Sequence, residues 1–338
     1  MIREGFFKGD FMKEIRVFAF LLLALMSLGL CACSNDNLVN NSKSEINIAA
    51  LKGPTGLSLV KLIEDSSAGN AKTNNNITLY NDPSEVMAKI YNKDVDIAAL
   101  PTNMAANLYR KSDHNIKMLS VNALGSLSIV SKGEAIDSIS NLKGKTIYMA
   151  GQGSTAEYTL KYILKANNLS ENDVSIEYKS EHTEIASLLL SDQISVALLP
   201  EPFVTQVTMK DSSINKSLDL NYEWEKNSHQ KDSLTMGCLV ATNEFIESNK
   251  NSLNNFLEDY KCSTEFVNSN IEESAKLSEK YGIMRYDAAK NAIPNCKIVY
   301  IDSMDMANRS SEFFNVMYNY NPKSVGGALP DEGFYYKK

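Results

Sequence analysis

Residues 77–101 read ITLYNDPSEVMAKIYNKDVDIAALP, and residues 176–200 read IEYKSEHTEIASLLLSDQISVALLP. At this offset of 99 residues the two segments align without a gap and share Ile77/Ile176, Glu85/Glu184, Ala98/Ala197, Leu100/Leu199 and Pro101/Pro200. Each reads as a strand, a short helix and a buried strand that ends in Leu-Pro. Upstream, the same offset sets residues 51–56 (LKGPTG) against residues 150–155 (AGQGST). Each of these small-residue loops follows a strand (46–51 and 146–150) and opens a helical segment. The runs 97–100 and 196–199 are apolar without alternation, the mark of strands covered on both faces. Two βαβαβ units predict an α/β protein of two lobes, each a mostly parallel sheet flanked by helices.

Between the halves, residues 118–131 are β-rich and interrupted at Gly125. A second strand-like run, 234–242, is interrupted at Gly237. Both read as connections between lobes, which places lobe 1 at 46–125 and 241–338 and lobe 2 at 126–240. From Asn243 the pattern turns helical, with Phe256, Tyr260 and Phe266–Val267 at helix-like intervals, and is expected to return to the first lobe.

The 338 residues suit two globular units at roughly 150 residues each. A net charge of −7 gives no basic face for nucleic acid. Three scattered histidines (His114, His182, His229) offer little to a metal ion. Residues 17–30 (VFAFLLLALMSLGL) are uncharged, follow Lys13 and Arg16, and at 14 residues fall short of the roughly 20 a membrane-spanning helix needs. They read as the core of a signal peptide; Met12 is a second candidate start. The run ends in Leu30-Cys31-Ala32-Cys33, which resembles a bacterial lipobox with Cys33 as the lipidated residue. Residues 1–33 are therefore expected to be a lipoprotein leader. The polar stretch 34–45 reads as a flexible tether, and the protein as lipid-anchored on the outer face of the cell membrane. Cys238, Cys262 and Cys296 remain; they allow at most one disulfide and read as buried free thiols.

In open α/β sheets ligands bind beyond the carboxyl ends of the strands, at helix N-termini. The paired loops sit there. Gly53, Gly56, Gly151 and Gly153 allow close backbone approach, Thr55, Ser154 and Thr155 add hydroxyls, and Lys52, Pro54 and Gln152 complete the set. The loops after the third strands form a second candidate pair: Thr102 and Asn103 in one, Glu201 and Phe203 in the other. Asn122 and Ser126, on the first connection, are candidates to face the same cleft. Catalytic patterns are missing: the 151–155 loop is neither a Walker A loop nor GxGxxG, and no HExxH or GxSxG occurs. Glu181-His182-Thr183-Glu184 reads as the opening of an exposed helix, and Trp224 as packing. No metal or cofactor is expected.

With these motifs assembled, residues from about 46 to 338 resemble an ABC-transporter substrate-binding protein of the nitrate/sulfonate/taurine and pyrimidine-precursor class. The carriers are IAALKGPTG (48–56), DIAALPTN (96–103), LKGKTIYMAGQGST (142–155), VALLPEPF (196–203) and VGGALPDEGFYY (325–336). The resemblance implies the type II periplasmic-binding-protein fold with a central cleft. It implies a monomer that binds one small molecule between closing lobes, and a permease and ATPase as partners. It implies no enzymatic activity; the alternatives are an enzyme on the same fold, like the pyrimidine synthases, or a sensing lipoprotein without a transporter. The mature part holds only Arg110, Arg285 and Arg309, none in the candidate loops, so the ligand is left open between a sulfonate-like anion and a planar heterocycle.

Overall fold

A computed structural model of the chain describes residues 45–229 and 231–337. The leader, Cys33 and residues 34–44 of the tether lie outside the described residues; Glu45 already belongs to the first strand. The strands are β1 (Glu45–Leu51), β2 (Asn74–Tyr80), β3 (Ile97–Pro101), β4 (Ile116–Leu124), β5 (Leu127–Lys132), β6 (Thr146–Met149), β7 (Ser175–Tyr178), β8 (Val196–Pro200), β9 (Ile214–Asp219), β10 (Thr235–Thr242) and β11 (Ile298–Ile301). The helices used below are α1 (Pro54–Ser58), α2 (Val60–Ser67), α3 (Pro83–Tyr91), α4 (Thr102–Lys111), α5 (Thr155–Ala166), α6 (His182–Leu190), α7 (Phe203–Lys210) and α8 (Leu220–Ser228). Towards the C-terminus come α9 (Asn243–Ser248), α10 (Lys250–Ser269), α11 (Ile271–Lys280), α12 (Tyr286–Ala292) and α13 (Ser303–Tyr320).

Two sheets form, ordered β11-β4-β10-β3-β1-β2 and β7-β6-β8-β5-β9. The repeat sets their register: Ile48 lies opposite Ile77 in the first, and Ile147 opposite Ile176 in the second, the same pair 99 residues on. β1 to β4 run one way and β10 is inserted antiparallel between β3 and β4. β6 to β9 likewise run one way, with β5 antiparallel between β8 and β9. Each sheet thus receives one reversed strand from the connection out of the other. Ile97 to Leu100 are wholly buried, as their unbroken apolar pattern predicts. Burying one such Ile or Leu side chain contributes about 1.5–3 kcal/mol. Local chemistry starts the helices: the Asp82 carboxylate accepts from the Ser84 N–H at 2.7 Å, with Pro83 opening α3.

The first crossing between sheets falls at Gly125–Ser126, between β4 and β5. A Cβ at residue 125 would sit 2.3 Å from Asn221 Oδ1, so close packing requires the glycine. The second crossing differs from expectation. β10 pairs in the first sheet along its whole length, with Cys238, Leu239 and Val240 buried, so the chain has crossed before Thr235 rather than after residue 240. Gly237 is therefore not a bend between lobes; a Cβ there would meet Asn122 Oδ1 at 2.6 Å. α10 packs under the first sheet through Leu253, Phe256 and Tyr260. α13 reaches both layers: Ser310 meets Met118 of β4, while Phe313 lies against Trp224 of α8 (5.8 Å between ring centroids) and Tyr320 against Tyr162 of α5. Trp224 is fully buried, with its indole N–H donating to Ser233 Oγ at 3.0 Å. Cys238 and Cys296 are buried free thiols; Cys262 is free but exposed.

Candidate functional site

A cavity of about 540 Å³ opens between the two sheets, at the carboxyl ends of β1, β2 and β3 on one side and β6, β7 and β8 on the other. Its volume suits a small organic molecule. Of the residues singled out from sequence, Lys52, Gly53, Pro54, Thr55, Ser126, Gly151, Gln152, Ser154, Thr155, Glu201 and Phe203 line it.

The other five stand behind the lining. Gly56 packs under its own turn, where a Cβ would lie 2.7 Å from Leu51 O. Thr102 is fully buried at the start of α4. Asn122 is fully buried behind Gly237, which itself lines the cavity. Asn103 spans the cleft: Nδ2 donates to Gly153 O at 2.9 Å and to Ser324 O at 3.2 Å, and Oδ1 accepts from Thr155 Oγ1 at 2.9 Å. Gly153 is used on both sides, because its N–H donates to the Glu157 carboxylate. Asn103 and Gly153, read as ligand contacts, have spent their polar groups on each other and on their neighbours.

The sequence reading missed a third pair of loops. Residues 81–84 and 180–183 both line the cavity, and they are again 99 residues apart. The repeat itself was the available signal; local reading took 181–184 only for the opening of an exposed helix and gave 81–84 no role. His182 is the consequential member, in contact with Phe203 at 5.2 Å between ring centroids. Its Nδ1 is enclosed and has no hydrogen-bond partner among the described residues. Burial lowers the imidazole pKa to about 4, so the ring is neutral at physiological pH.

Glu201 is 4% exposed, and its Oε2 accepts from the Thr205 N–H at 3.1 Å at the start of α7. Burial raises its pKa, and the bonds from Thr205 partly oppose that. The cations on the lining are Lys52 and Lys179, the latter over the ring of Tyr148. Apolar surface comes from Met104, Leu127 and Met236, none of which the sequence marked out.

Strand order, paired loops and cleft define a two-lobed binding protein. The chain belongs to the family described as ABC transporter, phosphonate, periplasmic substrate-binding protein, which matches residues 70–292. Solved structures agree. An ABC transporter protein from Parabacteroides distasonis is 26% identical, with a TM-score of 0.71 over 87% of this chain and 99% of that one. The periplasmic aliphatic sulphonate binding protein of Escherichia coli superposes with a TM-score of 0.71 at 12% identity, over 87% of this chain and 92% of its own. The periplasmic nitrate-binding protein of Synechocystis gives 0.61 at 10% identity, over 86% and 83%. At those two identities the likeness is one of fold. No curated protein matches the chain.

Proposed function

We propose that the chain is the extracytoplasmic solute-binding lipoprotein of an ABC importer, held to the membrane through Cys33 and acting as a monomer. It captures one small organic solute between its lobes, and closure buries the solute and presents it to a permease driven by an ATPase. The observation that carries this reading is the cavity lined by corresponding loops from both halves of the repeat. A ligand touching both walls favours the closed arrangement because only that arrangement offers both sets of contacts. Lys52, Gly53, Pro54 and Thr55 contact it from one side in this reading. Ser126, Gln152, Ser154, Thr155, Glu201 and Phe203 contact it from the other.

Thermal melting of the chain after Cys33 tests the reading, with a panel of nitrate, alkylsulfonates, phosphonates, pyrimidines, flavins and amino acids. A ligand at 100 times its dissociation constant adds about 2.7 kcal/mol, enough to raise Tm by several degrees at this size. A selective rise that disappears when Ser154 and Thr155 are replaced by bulky residues supports the assignment. A rise that survives the double substitution places the ligand elsewhere, and a flat panel rejects these solute classes.

A further inference from the structure

We infer that Asn103 is a positioning residue for closure. It latches the two walls of the cleft together on one flank, and so scales the affinity for every solute by the same factor, whatever the solute's chemistry. The inference rests on the binding-protein reading and gives that reading its latch. Asn103 stands in the first turn of α4, on the first-sheet side, and is fully buried. Both hydrogens of its amide are used: one reaches Gly153 O on the second-sheet side at 2.9 Å, the other Ser324 O on its own side at 3.2 Å. Its Oδ1 accepts at 2.9 Å from the hydroxyl of Thr155, the residue that opens α5. Every partner in this bridge belongs to the chain, and the bonds to Gly153 and Thr155 cross the cleft.

The bridge is braced from behind. Asn107, one turn further along α4, donates to Asn103 O and to Ser324 O, each at 3.0 Å, and Ser324 Oγ donates to Met317 O of α13 at 3.1 Å. α13 in turn meets the second-sheet side through Phe313 on Trp224 and Tyr320 on Tyr162, so the lobes are joined over a contiguous stretch of this flank. In the register of the repeat, Asn103, Gly153 and Thr155 correspond to Pro202, Pro54 and Gly56, whose side chains carry no hydrogen-bonding group. The latch is therefore one-sided, and the repeat supplies no second copy of it. Without the Asn103 amide, closure would bury Gly153 O and the Thr155 hydroxyl without that partner, while opening lets water reach both. The closed population then falls, and the apparent affinity of any solute that needs it falls in proportion. Thr155 also lines the cavity, so a solute resting on it meets the residue that the latch holds.

Thiol labelling of the chain after Cys33 tests this without any solute. Thr55, 8% exposed on the cavity wall and outside the bridge, is changed by Thr55→Cys in a Cys262→Ser background, and its reaction with an aromatic disulfide reagent is timed. Cys238 and Cys296 are buried and supply only a slow background. Asn103→Ala is expected to speed the reaction by about fivefold or more and to raise the radius of gyration in X-ray scattering. Asn107→Ala loosens the same junction on the first-sheet side alone, and is expected to change the rate by less than about twofold. An unchanged rate in Asn103→Ala, or an equal rise in Asn107→Ala, overturns the inference. Asn103→Asp keeps the acceptor for Thr155 and loses both donations, and it stands in if the alanine variant does not fold. Failure of both to fold assigns Asn103 to the scaffold and overturns the inference. Where two solutes of the melting panel bind, Asn103→Ala is expected to weaken both by factors that agree within about threefold. Unequal losses set the side chain against the ligand and overturn the latch. A flat panel rejects those solute classes and leaves the labelling rates to decide.

Discussion

The loops 51–56 and 150–155 hold the same station in the two halves of the repeat, yet they are secured by opposite means. The first opens α1 with Pro54 and has no acidic residue in its first turn. Ser58 anchors it neutrally, donating to Thr55 O at 2.7 Å and bonding the Tyr260 hydroxyl at 2.8 Å. The second opens α5, and Glu157, 99 residues after Ser58, reaches back to the Gly153 N–H. One hydroxyl and one carboxylate thus close the two equivalent turns, the carboxylate being paired with Lys161. A repeat preserves backbone geometry, while the means of securing each turn is set by a single side chain behind the lining.

The largest test of this contrast is removal of the two anchors. Glu157→Ala leaves Lys161, only 17% exposed in its side chain, without its nearer partner, and is expected to cost about 3 kcal/mol. Ser58→Ala, the equivalent change, is expected to cost about 1 kcal/mol. Urea denaturation of both variants checks the ratio; equal losses would dissolve the distinction between the loops. Next come the glycines. Gly56→Ala drives a Cβ to 2.7 Å from a backbone carbonyl and is expected to cost about 2 kcal/mol. Gly153→Ala has open space around the new methyl group but a φ of +76°, for about 1 kcal/mol. Tm values of the two variants rank steric against conformational demand.

Per pH unit, the effect of His182 is as small as that of Gly153→Ala. Folded His182 stays neutral down to about 4, while the unfolded chain takes the same proton near 6.5. Between those values the unfolded state binds more protons, so this contribution is intact above pH 6.5. It falls by on the order of 1 kcal/mol per pH unit as the pH drops through the window. The repeat partner of His182 is Pro83, which does not titrate. A pH series of urea midpoints should therefore flatten in His182→Gln, and an unchanged slope would remove His182 from the account.

Much of this was legible before any coordinates. The 99-residue offset carried the succession of strands and helices along each half and both small-residue loops. Unbroken apolar runs at 97–100 and 196–199 announced strands buried on both faces. The loops at 81–84 and 180–183 lay in the same alignment, but Asp82-Pro83 and Glu181-His182 are also ordinary helix starts, and local reading stopped there. Gly237 was misread because a glycine that permits a bend and one that makes room for Asn122 look alike in one dimension.

The sequence by itself determined the two α/β units, the stations of the candidate loops and the acidic, arginine-poor character of the chain. These depend on periodicity, composition and spacing along one strand of polymer. Tertiary structure alone decided that Asn103 bonds Gly153 and Thr155 across the cleft, some 50 residues away. It also decided that β10 belongs wholly to the first sheet, and that Glu201 lines the cavity while bonded by Thr205. Hydrogen bonding and desolvation act over a few ångströms of space, and which groups come that close depends on how the two sheets pack.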